Sequence, residues 1–160
     1  MTVNSTHYIE IEALKKLRVI IRAAQRHSSW IEKQCGITGA QLWVMQELYE
    51  TPGQRVGEIA KKLVIHATTA SNLIDALVKN GHIRKTRSET DQRVVTLELS
   101  ESGLDLMKKA PTPARGLIPE ALSRMEEGSL RQLNDGLQAV IDAIDAADDA
   151  FGLQPLPFTM

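Results

Sequence analysis

The sequence predicts a mainly α-helical fold with a small β-wing: a winged helix-turn-helix joined to a second, helical region. Three observations carry that fold class. Two short stretches of helical period follow one another across only Val64-Ile65-His66. The period then changes from helical to alternating on both sides of a polar turn, as in a β-hairpin. Outside this unit, apolar stripes run near both ends of the chain at the spacing of packed helices.

Residues 8 to about 33 read as a first helix, with Leu14, Leu17, Ile21, Ala24, Ser28 and Ile31 on one face and Lys15, Lys16, Arg18, Arg22 and Arg26 on others. Gly36 ends it. Thr38-Gly39-Ala40-Gln41 fits a capping box for a helix running to about Glu50, and Thr51-Pro52-Gly53 is a break. Val56, Ile59, Ala60 and Leu63 share one face of the third helix, and Val64-Ile65-His66 make the turn. Ala70, Leu73, Ile74 and Leu77 repeat at i, i+3, i+4 and i+7 in the fourth, which Gly81 stops after Asn80 by supplying a left-handed residue.

From Ile83 one strand sets Arg84 and Thr86 against Lys85 and Arg87, and a return strand sets Val95, Leu97 and Leu99 against Val94, Thr96 and Glu98. The turn between them is Ser88-Glu89-Thr90-Asp91-Gln92-Arg93. Ser100 can cap a helix through Met107 to Ala110. Pro111 and Pro113 interrupt it, since each lacks an amide donor and crowds the preceding turn. Ser129-Leu130-Arg131-Gln132 reads as another capping box, ahead of a stripe of Leu130, Leu133, Leu137, Val140, Ile144 and Ala147. That stripe is too short for an isolated coiled coil and suits a helical bundle. The predicted division is a winged helix-turn-helix at 36–103 and a helical dimerisation domain from 1–35 and 104–160, in which a homodimer buries the stripes of both termini together. The tail 151–160, with two prolines and two phenylalanines, is expected to lie over the partner subunit or to be disordered.

A chain of 160 residues that is 42% hydrophobic can bury the core of one or two small domains. There is no apolar run of about 18 residues, so no membrane association is expected. The first residues lack the basic-then-apolar order of a signal peptide, and a cytoplasmic location is expected. The single cysteine, Cys35, excludes an intramolecular disulfide and a cysteine zinc cage within one chain. His7, His27 and His82 share no metal-ligand spacing with it or with each other, so neither a metal nor a cofactor is expected. Glycine-rich phosphate loops, nucleophile elbows and paired metal ligands are missing, which argues against an enzyme.

The net charge of -1 carries no overall nucleic-acid signal, but its distribution does. Residues 54–99 hold 8 Lys/Arg against 5 Asp/Glu, and the remainder holds 11 against 15. The fourth helix turns Thr68, Thr69, Ser71 and Asn72 outward, small hydroxyl and amide groups that suit base edges and thymine methyls in a major groove. The β-ribbon adds Arg84, Lys85, Arg87 and Arg93 at or near its tip, fit for phosphates or a minor groove. An ordinary solvated helix face is the alternative for the first set, and a surface ion pair between Asp91 and Arg93 for the wing. Double-stranded DNA is the expected partner. A winged-helix protein-interaction module is the rival, which salt-sensitive DNA binding would separate.

Ile37-Thr38-Gly39-Ala40-Gln41, Glu58-Ile59-Ala60-Lys61-Lys62-Leu63, Leu77-Val78-Lys79-Asn80-Gly81, and Asp91-Gln92-Arg93 running into Leu97-Glu98-Leu99-Ser100-Glu101-Ser102-Gly103 resemble the multiple antibiotic resistance regulator (MarR) family in order and spacing. The resemblance implies a homodimeric winged-helix regulator, a repressor in the reading preferred here, that binds a near-palindromic operator and is released by a small ligand, an oxidant or a metal. It also implies that Asp91 orients a wing arginine towards DNA while Arg93 or Arg87 inserts. Asn72 stands where the family often has arginine, and His66 where it commonly has a cap such as aspartate. The prolines depart from the long helix usual after the wing.

For an effector, the family's crevice between dimer helices and reader implies Arg22, Arg26, His27 and Trp30 on the first helix with Trp43 and Gln46 on the second. An aromatic floor with a cationic rim suits a phenolic or aromatic carboxylate. The alternative places the tryptophans in the core and leaves the arginines solvated. Cys35 lies just after the first helix, whereas peroxide sensors of the family place theirs near its start. It reads as a small packed side chain, with redox response, helped by nearby Lys33, as the alternative.

Overall fold

The apolar positions picked out by helical and alternating period meet in one core. The computed structural model describes residues 2–160, with side chains from Ser5 onward. Helices α1 (Thr2–Cys35), α2 (Gly39–Glu50), α3 (Val56–Leu63) and α4 (Ala67–Lys79) lead into antiparallel strands β1 (Ile83–Arg87) and β2 (Val95–Leu99). Helices α5 (Glu101–Lys109), α6 (Leu117–Ser123) and α7 (Glu127–Asp142) follow, then short 3-10 turns at Asp149–Leu153 and Pro157–Thr159.

Leu42, Met45 and Leu48 of α2, Ile59 of α3, Ile74 and Leu77 of α4 and Leu97 of β2 are essentially inaccessible to solvent. Each such side chain contributes about 1.5–3 kcal/mol on burial. Thr38 closes the expected capping box, accepting from the Gln41 amide while the Gln41 side chain accepts from the Thr38 amide at 2.9 Å. The strands pair Ile83 with Leu99, Lys85 with Leu97 and Arg87 with Val95, so Ile83, Leu97 and Leu99 face the core. Gln54 makes a further antiparallel bridge to Leu97, which ties the α2–α3 connection to the wing.

The α4–β1 junction is locked by the start of α5. Gly81 takes φ 80°, as its place after the helix requires. Ser100 accepts from the Gly103 amide as the α5 cap and donates its hydroxyl to the Gly81 carbonyl at 2.5 Å. Gly103 packs so closely that a Cβ there would collide with the His82 carbonyl. Through Leu106 and Met107, α5 packs on the same core as the wing.

Three expectations are corrected. First, Ser129 does not cap: α7 starts earlier, with Glu126 as its N-cap residue. Glu127 suits the positive end of the helix and is paired with Arg131 one turn on, which stabilises the earlier start. Second, the helix ends at Asp142, leaving Ile144 and Ala147 of the expected stripe outside it. The aspartates of 142–149 are unfavourable at the negative end of a helix. Third, the tail 151–160 is ordered against its own chain. The Ser28 hydroxyl donates to the Phe158 carbonyl at 2.7 Å, and the His66 amide donates to the Leu153 carbonyl at 3.1 Å.

The prolines do break the helix after the wing: α5 stops at Lys109, Pro111 is buried, and α6 begins only at Leu117. The α1 stripe divides along its length. Ala24, Ser28 and Ile31 are buried, while Leu14, Leu17 and Ile21 are exposed, as are Leu137 and Val140 of α7. Among the described residues, no helix is long and apolar enough to cross a membrane.

Candidate nucleic-acid interface and adjoining pocket

Burial of Ala70, Leu73, Ile74 and Leu77 fixes the rotation of α4. Thr68 and Asn72 are consequently exposed, and Thr69 and Ser71 are half-buried at the edges of the same face. The turn before α4 is tight because Val64 adopts a left-handed conformation, φ 55°, uncommon for a β-branched residue. His66 occupies the N-cap position but makes no side-chain cap. The first turn of α4 therefore presents backbone amides that no residue of the cap occupies, a favourable setting for phosphate oxygens.

The wing tip is braced by short polar bonds. Ser88 Oγ accepts from the amides of Thr90 and Asp91, and the Ser88 amide donates to the Val94 carbonyl at 2.9 Å. Asp91 Oδ1 accepts from the Arg93 backbone amide at 3.0 Å. Asp91 thus holds the backbone under Arg93 and, among the described residues, forms no ion pair with an arginine side chain. Arg87 is the guanidinium held in the turn, donating to the Gln92 carbonyl at 3.1 Å. Arg93 is exposed and, among the described residues, forms no ion pair.

The two remaining wing cations are engaged. Arg84 lies across the ribbon, 4.0 Å from Glu98. Lys85 reaches Asp75 of α4 at 2.5 Å, so it ties the wing to the recognition helix. Sequence reasoning grouped Lys85 with the phosphate-seeking cations because a strand pattern shows which side of the ribbon it occupies but not the carboxylate opposite. Asp75 was missed for the same reason.

Beside the reader lies an apolar cavity of about 260 Å³. Its walls come from α1 (Ala24, His27, Ile31), α2 (Ala40, Trp43), the α3–α4 turn (Val64, Ile65), the segment at Arg115–Pro119, and the tail (Leu156, Phe158). Of the six residues expected at an effector site, His27 and Trp43 line it. Arg22 and Arg26 do not, because burial of Ala24, Ser28 and Ile31 turns their faces of α1 to solvent. Trp30 is also outside, half-exposed with its ring edge-on to His27 at 5.8 Å. Gln46 lines a separate cleft with Thr112, Glu120 and Arg124. The cationic rim expected for an acidic ligand is therefore not formed by these arginines.

The cation that reaches the cavity is Arg115, and it is committed to carboxylates. Arg115 donates to Glu47 at 2.8 Å and to Glu50 at 2.5 Å, and Trp43 Nε1 donates to the buried Glu47 at 3.0 Å. Hydrogen bonding by Arg115, then by Gln46, lowers the Glu50 carboxyl below its ordinary value, and the same carboxylates raise the guanidinium value. His27 Nε2 bonds the Pro113 carbonyl at 2.9 Å, fixing the other end of the segment. Glu47 and Arg115 were not singled out from sequence; the i, i+4 spacing of Trp43 and Glu47 was the available signal. Cys35 is half-buried against the core, and burial raises its thiol pKa, opposite to the shift that makes a reactive thiolate. Among the described residues, no group of three or more His, Cys, Asp and Glu side chains is placed to hold a metal.

Known proteins share both the sequence of the reader and the fold. A family model described as the MarR family matches residues 37–95. The chain is 30% identical over 106 residues to the HTH-type transcriptional regulator YsmB of Bacillus subtilis, covering 66% of this chain and 71% of that one. It is 28% identical to the HTH-type transcriptional repressor MdtR of Bacillus subtilis, covering 64% of this chain and 65% of that one. Among solved structures, a MepR like protein complexed with pseudoligands superposes with TM-score 0.59 at 23% identity, over 89% of this chain and 99% of that one. A mutant Staphylococcus aureus MepR bound to an oligodeoxyribonucleotide gives 0.53 at 22%, over 82% and 96%. With its winged helix-turn-helix and the match across residues 37–95, the chain belongs to the MarR family of DNA-binding transcriptional regulators.

Proposed function

We propose that this protein is a homodimeric repressor, acting in the cytoplasm, that binds a near-palindromic operator and releases it when an apolar effector occupies the cavity beside the reader. The observation that carries the DNA reading is the exposed Thr68 and Asn72 face next to a wing tip whose Arg93 is unpaired among the described residues. The α4 face contacts base edges in the major groove, and the wing reaches the flanking minor groove or its phosphates. With Asn72 in place of an arginine, base contacts are uncharged and affinity leans on phosphate contacts. MdtR is named a repressor and the MepR mutant was solved on DNA, which support the reading by likeness.

Self-association is supported by apolar faces that the chain itself does not cover. On α1, Leu14 is 47% exposed and Ile21 48%, with the exposed Leu17 between them at helical spacing, and on α7 Leu137 and Val140 are exposed one turn apart, too much apolar surface to leave in water. The proposed division assigns 36–103 to the reader and 1–35 with 104–160 to the dimer. The mostly apolar lining around Trp43 favours an uncharged aromatic or aliphatic effector over an aromatic carboxylate. Such a ligand acts only by binding one spacing of the two readers better than the other.

The test is selection of genomic fragments by the purified protein at moderate salt, followed by sequencing. Recovery of a near-palindrome, with affinity that falls as salt rises, supports operator recognition. Absence of any enriched sequence across the salt range would overturn it in favour of a protein-interaction module.

A further inference from the structure

The cavity has one wall unlike the others. Helices α1 and α2 and the α3–α4 turn belong to the packed core, but Gly152, Gln154, Pro155, Leu156, Phe158 and Thr159 come from the last residues of the chain. This segment is lightly held. Phe151 is 67% exposed and Leu156 45%, and the polar ties to the body are the Ser28 hydroxyl on the Phe158 carbonyl and the His66 amide on the Leu153 carbonyl. A segment with few buried side chains and few bonds opens at far lower cost than the core. Between α7 and the first 3-10 turn, residues 143–148 form no helix or strand and include the small Ala143, Ala146 and Ala147, which suits a hinge.

We propose that residues 149–159 are an intramolecular strap that walls one side of the apolar cavity and ties it to the residue before the recognition helix, so that a ligand enters faster when the strap swings away. This rests on the cavity being the effector site. His66 is the N-cap of α4, and its amide donates to the strap at Leu153, while Phe158 seats against α1 through Ser28. Opening therefore exposes the cavity and frees the start of the recognition helix in one movement. Closure gives the cavity its Leu156 and Phe158 wall. A cavity of about 260 Å³ exceeds the roughly 150 Å³ that accepts benzene, so an uncharged bicyclic aromatic fits.

The structure supplies a lock. A Cβ built on Gly39 lies 3.4 Å from Thr159 Cβ, close to the roughly 3.5–4.5 Å of a disulfide. The full-length Gly39→Cys/Thr159→Cys protein, in a Cys35→Ala background, is oxidised and then reduced with dithiothreitol. Entry of 2-naphthol is followed by stopped-flow tryptophan fluorescence. Oxidation is expected to slow entry by about tenfold or more and reduction to restore it. Ser28→Ala, which removes one tie, is expected to speed entry by about threefold to tenfold. Amide exchange at His66 is expected to slow in the oxidised form.

Equal entry rates in the two redox forms, or introduced thiols that stay free under oxidant, overturn the strap. Unchanged exchange at His66 overturns its tie to the recognition helix. If no form binds 2-naphthol, the effector cavity itself fails and the strap falls with it. Gated entry without any effect of 2-naphthol on DNA affinity supports the strap and refutes the effector reading alone.

Discussion

Replacing Arg93 with alanine removes a wing-tip charge while leaving its support in place, because Asp91 binds the backbone amide of Arg93, which alanine retains. Each phosphate neutralised contributes about 0.9 to the slope of log affinity against log salt. In the proposed homodimer two wings meet one operator, so losing both arginines lowers the slope by roughly 1.8. If the two proteins converge near 1 M salt, that difference is about 60-fold weaker binding near 0.1 M. Anisotropy titrations of the selected duplex across a salt series measure both quantities, and thermal melts check the fold. Lys85→Ala is the internal comparison. Its ammonium is already paired with Asp75 at 2.5 Å, so its loss changes the slope less. An Arg93→Ala protein with parental slope, or a larger change from Lys85→Ala, would refute the assignment of Arg93 as the free phosphate contact.

Gly103→Ala forces a methyl into the His82 carbonyl and should destabilise by about 1–3 kcal/mol in denaturant titration, loosening the α4–β1 junction; parental stability would refute the close packing. Val64→Gly relieves a left-handed valine in the turn before α4 and should stabilise by about 1 kcal/mol, read as a higher melting temperature. The Arg115–Glu50 pair predicts a pH dependence. Because Arg115 lowers the Glu50 carboxyl value, the pair's stabilisation is fully present above the ordinary 4.5 and is lost as pH falls through the folded-state value. Glu50→Gln should therefore melt below the parent at neutral pH, and the gap should close in acid below 4.5; a gap that widens there reverses the sign and refutes the pairing.

Elements that announce themselves within one or two turns of chain were legible in the sequence. The capping box at Thr38, the stop at Gly81, the Ser100 cap and the proline break after α5 each depend on residues a few positions apart, and each is formed. The buried stripe of α4 was equally plain, and with it the outward face of Thr68 and Asn72. The second capping box failed because Ser129 matches a local pattern that Glu127 and the Glu127–Arg131 pair outcompete one half-turn upstream. The stripe of α7 ran too far because periodicity ignores the acidic run that ends the helix.

Of the six residues expected at an effector site, only His27 and Trp43 line the cavity, for a related reason. Spacing put Arg22, Arg26, His27 and Trp30 on one helix, but only contact with α2, the tail and the Arg115 segment decides which face of α1 is covered. The tail itself gave no periodic signal, so its docking on Ser28 and His66 could not be read from composition.

By itself, then, the sequence determined the order of helices and strands, the caps that bound them and the polar face of the recognition helix, because period and turn chemistry act over a few residues. Tertiary structure alone decided which charges are free. Arg115 meets Glu47 from 68 positions away and Lys85 meets Asp75 from 10, while Arg93 is left at the wing tip. It also decided what walls the cavity, since the tail docks on Ser28 from 130 positions away. Such contacts are set by how the whole core packs, and the pattern of no single helix or strand contains both partners.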